Sequence, residues 1–403
     1  MPRNTSKLTR RKGVMAVFMA LLIIPILAMV AFAIDIGWIT DTKIELQSAA
    51  DASALAGAQQ LMGDSSNENG YVNYYLPGQT NQSAILATAK ANARAAAKKV
   101  ALNNSAGGVK SLALNDADIE FGYTDSNYNY TPMPPYSGFP NTVQVTMRRD
   151  NQANGPLGLF FAPVIGTNSV NITTVAAATI YTASVNSFNS ASKLPFRILP
   201  MTYDVNHWNN FLATGKGPDG SVDTLSANGA PELQVYPSIK FTGNFGELSL
   251  DQNNDGASTI SNWITNGVPW SDLQNEYNAG LLPLAQHDHT KWDWKGNPGL
   301  KTSTIHTLEN EIGTMYLLPL YLPVDPNQAT YQPAIGQGSH YYYNIVQFVG
   351  ITITYVDNKG VHVQPTALLD PNAIPTSGSP APAAPPTQSN PLVTTYIAAK
   401  LTQ

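Results

Sequence analysis

Residues 13–56 read GVMAVFMALLIIPILAMVAFAIDIGWITDTKIELQSAADASALA, and this stretch decides the architecture. Its first part, Val14 to Ile34, is a run of 21 residues without a charge. Wound as a helix at about 1.5 Å per residue, it reaches about 30 Å, the thickness of a bilayer's hydrocarbon core. A single transmembrane helix is therefore predicted over 14–34. Pro25 removes one backbone bond inside it, which a membrane helix tolerates as a kink. Arg3, Lys7, Arg10, Arg11 and Lys12 precede the run, and residues 1–34 hold no Asp or Glu. The positive-inside rule then keeps segment 1–13 in the cytoplasm and places residues from Asp35 onward outside. Ala31, Phe32 and Ala33 form an A-x-A-like cleavage site, the signal-peptide alternative. Signal cores usually run about 7 to 15 residues, and this one is longer, so a retained anchor is expected.

The pattern stays helical past the membrane. Trp38 to Met62 has no proline, and alanines at 49, 50, 52, 54, 56 and 58 make it slender. Gln82 to Leu102 is a second alanine-rich helix. Small side chains combine high helix propensity with close approach of a neighbouring backbone, so the two are expected to pack side by side.

Taken in order, Gly13, the apolar run, Asp35-Ile36-Gly37, and then Leu46, Gln47, Ala49, Ala50, Asp51, Ala52, Ala54, Leu55 and Ala56 closely resemble the N-terminal module of TadE/TadG-like Flp (Tad) pilus-assembly proteins. In that family a basic Gly start, a membrane helix, an Asp-x-Gly step and an L-Q-x-A-A-D-A-x-A-L-A helix follow one another. Each part is weak alone; the compound is specific. Prepilins also begin with a glycine after a basic stretch, but they carry glutamate five positions later, where Phe18 stands here. The resemblance implies a structural or assembly component of the cytoplasmic (inner) membrane with periplasmic domains, acting by contact with other Tad/Flp or envelope proteins. For Asp35 and Asp51, packing or capping is the plain reading, and a partner role is only what the resemblance implies.

From about Ile119 the period becomes extended. Asp118 to Tyr123 and Thr142 to Met147 alternate apolar and polar residues as half-buried strands do, and Val170 to Thr182 is a longer Val/Ala-rich strand. The intervening segment Gly158, Leu159, Phe160 and Phe161 and the strands around it also resemble the family's extracytoplasmic half. The expected fold is α+β: a transmembrane helix continuing into an Ala-rich helix packed on an antiparallel, pilin-like sheet over 35–182, then a second α+β domain. Residues 183–193, rich in Ser and Asn, read as a linker. The second domain is expected over 194–368, with strands near 196–201, 233–236, 246–250, 315–321, 345–355 and 361–364 and helices near 205–212, 257–265 and 302–312. Short motifs from Leu199-Pro200 through Phe348-Val349-Gly350 to Val363-Gln364-Pro365 resemble a C-terminal region of some TadG-like proteins. The D-x-S-x-S motif of von Willebrand-type domains is absent. Residues 369–391 are proline-rich and read as an extended tether, and 392–403 regains strand composition.

Composition removes several chemistries. The chain has 403 residues and no cysteine, which excludes disulfides, thiol catalysis and cysteine-ligated metal. Only 12% of residues are charged, and outside the first 34 residues 17 basic face 27 acidic residues. Such a balance offers no basic patch, so no nucleic-acid partner is expected.

Asp251, Asn253, Asp255 and Gly256 reproduce positions 1, 3, 5 and 6 of an EF-hand calcium loop, but Asn262 stands where the bidentate Glu belongs. Calcium there would be weak, and the plain reading is an Asn/Asp turn that caps the next helix. His287 and His289, beside Asp288 and Asp293, lie in a stretch that reads as an exposed loop with Trp292 and Trp294. His207, His306, His340 and His362 have no ligand spacing. Glu309 and Glu311, two apart on a helix, face apart. Ser339-His340 is a sequence neighbour pair without meaning for nucleophile and base. No metalloprotease, hydrolase-elbow, P-loop or dinucleotide motif occurs, so no enzyme and no cofactor are expected. Tyr341, Tyr342, Tyr343, Tyr331 and Tyr355 suit strand packing or an interface. The alternative function is an exported hydrolase or calcium-assisted carbohydrate or adhesion module built on the Asp251 and Trp292/Trp294 loops.

Overall fold

The computed structural model describes residues 12–63, 69–226, 229–237, 246–252, 256–284, 294–322, 341–369, 372–375, 381–387 and 392–402. The membrane run and the Ala-rich segment form one helix, Lys12–Met62, 51 residues long, with Pro25 inside it. No residue between them breaks it, because Asp35-Ile36-Gly37 is the only interruption and lies within helical periodicity. Gln82–Leu102 is the second long helix, at the predicted bounds.

Two large sheets follow. The seven-stranded sheet has the order Leu368–Leu369, Thr395–Thr402, Ile172–Thr182, Thr142–Arg149, Ile119–Thr124, Tyr130–Pro132, with Ala381–Pro382 also paired to Ile172–Thr182. The ten-stranded sheet runs Tyr341–Tyr343, Trp294–Pro298, Gly246–Leu248, Met201–Asp204, Met315–Tyr321, Ile345–Asp357, Gly360–Pro365, Leu233–Tyr236, and Val185–Phe188 and Ala373–Pro375 join it at one side. Its pairings are antiparallel except Met201–Asp204 with Met315–Tyr321, which is parallel. Helices Val205–Thr214, Ala257–Asn266, Trp270–Asn278 and Thr302–Glu309 belong with this second sheet. The mixed α+β architecture with a long apolar N-terminal helix is thus present.

Cα packing divides the chain into two compact units. The first comprises Met1–Ser53, Lys98–Ile119 and Val145–Ala176, and the second Ala54–Ala97, Glu120–Gln144 and Ala177–Gln403. In the second unit the two Ala-rich helices meet: Ala54, Ala58, Ala89, Ala93 and Ala97 are fully buried. Gly57 sets their spacing, since a Cβ there would lie 3.3 Å from the Ala93 carbonyl oxygen and 3.1 Å from Val143 Cγ1.

The same unit holds a buried polar ladder. Thr124, Thr142, Thr179 and Thr402 hydroxyls pair in succession at 2.7, 2.8 and 3.0 Å. Asn141 completes it: its Oδ1 accepts from Thr124 N, and its Nδ2 donates to the carbonyls of Thr124 and Ala383, at 2.8 to 2.9 Å. A fully satisfied network of this kind fixes strand register, because slipping by one residue would strand each hydroxyl.

Three expectations change. The predicted linker contains the strand Val185–Phe188, whose four residues are buried, with Phe188 against Phe196 and Phe348 at 4.9 and 5.3 Å between ring centroids. Its Ser and Asn neighbours masked one good apolar anchor. The proline-rich tether holds the strands Ala373–Pro375 and Ala381–Pro382, each paired, and Ala383 is buried. Prolines are tolerated there because each short strand pairs on one side only. The expected strand at 196–201 starts at Met201, while Phe196 and Ile198 make isolated bridges.

Candidate functional site

Within the first unit, the residues that follow the apolar run organise a single loop. Leu157–Gly158 pairs antiparallel with Ser169–Val170, and the loop between them carries a 3-10 turn, Ala162–Ile165. Asp35 is buried, and its carboxylate accepts the backbone N–H of Phe160 at 2.8 Å, Phe161 at 3.1 Å and Ala162 at 2.7 Å. Burial pushes this carboxyl upward, and the amides of Phe160, Ala162 and Phe161 more than offset it, so the pKa lies below the ordinary carboxylate value. Asp35 is therefore an anion held by three convergent amides. One turn further on, Trp38 lies against Phe160 with ring centroids 5.7 Å apart.

The base of the loop is held separately. Arg149 is buried and donates through Nη1 to the carbonyls of Ala106 and Gly107, both at 2.7 Å. Its Nε and Nη2 donate to Gly155 and Pro156 at 2.9 and 3.2 Å. Glu45 of the long helix accepts the Gly107 N–H at 2.8 Å. Gly107 has φ +54, and a Cβ there would meet Leu157 and Thr42 at 2.7 Å, so only glycine fits between helix and loop. Gln47 donates to Asp51 at 2.8 Å and to the Val175 carbonyl at 3.2 Å.

The motif residues thus have different structural places. Asp35, Leu46, Ala49 and Ala50 are buried, Gln47, Asp51, Ala52 and Leu55 are half-buried, and Gly37 is exposed with open space around its Cα. Gly13 lies in the helix. Sequence reasoning missed Glu45, Gly107 and Arg149; the one signal for Arg149 is a charge at the end of an otherwise regular strand.

Among the described residues the other candidates are dispersed. Asn253 and Asp255 lie outside the described residues; Asp251 accepts from Ser249 Oγ at 3.1 Å, and the Asn275 side chain donates to its carbonyl at 2.9 Å. Glu276 beside it is fully buried, its pKa pushed up to about 8 by burial, with the Asp251 charge adding to the rise and a hydrogen bond from Gln252 opposing it. His287, Asp288, His289, Trp292, Asp293, Tyr331, Ser339 and His340 lie outside the described residues. Trp294, expected in an exposed loop, is fully buried in the strand Trp294–Pro298 with its ring 6.1 Å from Phe348. The reason is alternation: the strand pairs on both sides, and one face is core. His306 pairs with Glu309, His207 with Asp204, and His362 lies 3.9 Å from Asp223. Glu311 accepts from the Tyr316 hydroxyl. Tyr343 is buried against Tyr321, and Tyr355 donates to Asp357. Among the described residues no group of three or more His, Asp or Glu is placed to hold a metal ion.

The helix carrying Asp35 is long and apolar enough to cross a membrane. Residues 13–60 match the family model described as putative Flp pilus-assembly TadE/G-like, and residues 56–178 match one described as putative Tad-like Flp pilus-assembly. No curated protein and no solved structure matches the chain. The resemblance read in residues 199–365 lies beyond both matched ranges. Asp35, the loop it holds and both Ala-rich helices fall inside them, and over residues 13–178 the chain is similar to these Flp pilus-assembly families.

Proposed function

We propose that this protein is a membrane-anchored structural or assembly component of a Flp/Tad-type pilus or secretion apparatus in the cell envelope. Residues 14–34 sit in the cytoplasmic membrane with the basic N-terminus inside, and the pilin-like α+β part and the domain beyond it lie outside. It acts by binding and positioning other pilus-assembly or envelope proteins, without turnover and without a cofactor. The observation that carries this reading is the unbroken Lys12–Met62 helix, whose uncharged half leads directly into the matched, folded module.

Carbonate extraction of membranes followed by protease treatment of spheroplasts tests it. The chain should stay in the pellet, and protease should remove the part beyond residue 35 while sparing the N-terminus. In a strain lacking the protein, pili or the exported cargo of the apparatus should be lost and restored by the intact chain. Extraction into the soluble fraction, or unchanged piliation, overturns the assignment.

A further inference from the structure

The loop held by Asp35 is itself strongly apolar and turned to the outside. Phe160 is 63% exposed, Phe161 44%, Val164 88% and Ile165 75%. Water is a poor environment for four such neighbours, and a patch of this kind marks an interaction surface. No Asp, Glu, Lys or Arg occurs between Asp150 and Lys193.

The patch has a defined neighbour. The spanning helix from Pro25 to Ile34 and the loop residues Phe161, Ala162, Val164 and Ile165 wall one groove of about 820 Å³. From Pro25 to Ile34 the helix rises about 14 Å, so the loop runs alongside a considerable part of the apolar span. If that span is in the bilayer, this loop shares its depth.

The backbone is prepared for such a place. Hydrocarbon tolerates irregular backbone only when its polar groups are satisfied internally. The Phe160, Phe161 and Ala162 N–H groups go to Asp35. Leu159 donates to Asn168, Val164 to Phe161, Gly166 to Pro163 and Thr167 to Ala162, and Pro163 has no N–H to place. Trp38, against Phe160, stands where an interfacial aromatic belt is found, just past the end of the span.

We propose that residues 159–166 form a second membrane-seated element, with Phe160, Phe161, Val164 and Ile165 among lipid acyl chains beside the spanning helix and Asp35 as the clamp that holds the loop there. Lipid is the occupant because the patch lies beside the apolar span, because Asp35, the charged residue of the groove lining, is already met by three amides, and because the N–H groups of Leu159 to Ala162, Val164 and Gly166 have partners within the loop or on Asp35. The proposal rests on the anchor reading of residues 14–34.

The absence of native cysteine makes the test direct. Single nitroxide labels are placed at Met29→Cys, Val164→Cys and Lys216→Cys in the full chain, reconstituted in phosphatidylcholine/phosphatidylglycerol nanodiscs. Collision rates with oxygen and with a water-soluble nickel chelate are then compared. The label at 164 should match that at 29, with a severalfold higher oxygen-to-nickel ratio than at 216. A water-like ratio at 164 with a lipid-like ratio at 29 overturns the loop and leaves the anchor standing. Water-like ratios at both overturn the anchor reading and the loop with it. Exclusion of both reagents at 164 means that protein covers the patch, and also overturns it. Ile165→Cys repeats the measurement should the first variant fold poorly, and Asp35→Ala should raise nickel access at 164 severalfold.

Discussion

At Asp35 two opposed effects meet on one carboxylate, and the donors win. A carboxyl whose folded pKa is depressed stabilises the fold fully above its unfolded value, near 3.8, and loses that stabilisation as pH falls through the lower folded value. The amides of Phe160 and Ala162 should therefore be protected from exchange, relative to an unstructured chain, at any pH above 4 and lose that protection in Asp35→Ala; equal protection would dissociate the clamp from the loop. Glu276 has the opposite sign. Its carboxyl stays protonated in the fold up to about 8, while the unfolded chain loses its proton near 4.5. Its contribution to stability is then highest at low pH and falls as pH rises from 4.5 to 8, by on the order of 5 kcal/mol. Glu276→Gln should melt above the parent at pH 8 and lose this advantage at pH 4.5, as thermal denaturation will show. Arg149→Met removes a guanidinium that serves four carbonyls, two of them at the loop base. About 3 kcal/mol of destabilisation is expected from chemical denaturation.

Among the elements, the long helices show what periodicity can carry. Alanine spacing placed Gln82–Leu102, and close approach of the two Ala-rich helices follows from the same small side chains. Gly57→Leu should cost about 1 to 3 kcal/mol by overpacking, read as a lower melting temperature, because Ala93 backbone cannot move aside as a side chain would. Val205–Thr214 is capped locally: Asp204 accepts from Asn206 and His207 N–H, and Gly215 ends the helix at φ 70. Thr302–Glu309 was not so transparent at its start. The residue before it, Lys301, is held by Glu247 from a strand 54 positions earlier, which accepts from Lys301 N at 3.0 Å and also from its Nζ. Long-range partners leave no periodic trace, which is why Glu45, Gly107 and Arg149 were missed; the amides on Asp35 are equally distant in sequence, and only its place in the Asp-x-Gly motif singled it out. Short strands such as Val185–Phe188 escaped for a related reason: four residues carry too little pattern, and their neighbours decide their state. Helix Trp270–Asn278 opens after Pro269, a start signal that the surrounding polar residues concealed.

For the molecule as a whole, the seven-stranded sheet draws on widely separated segments. Residues 395–402 lie between Leu368–Leu369 and Ile172–Thr182, and the hydroxyls of Thr179 and Thr402, 223 positions apart, pair at 3.0 Å. Removing residues 392–403 should leave Ile172–Thr182 with open backbone groups along one side, and self-association in light scattering is the expected result. A chain truncated there that stays monomeric and melts as before would contradict it. This placement has a temporal side. A slot in the middle of a sheet waits for a segment that the ribosome delivers hundreds of residues later, so closing it is slow and non-local. During synthesis the partly built sheet must be kept from foreign strands until that segment arrives, so its open side is a transient site for wrong pairing.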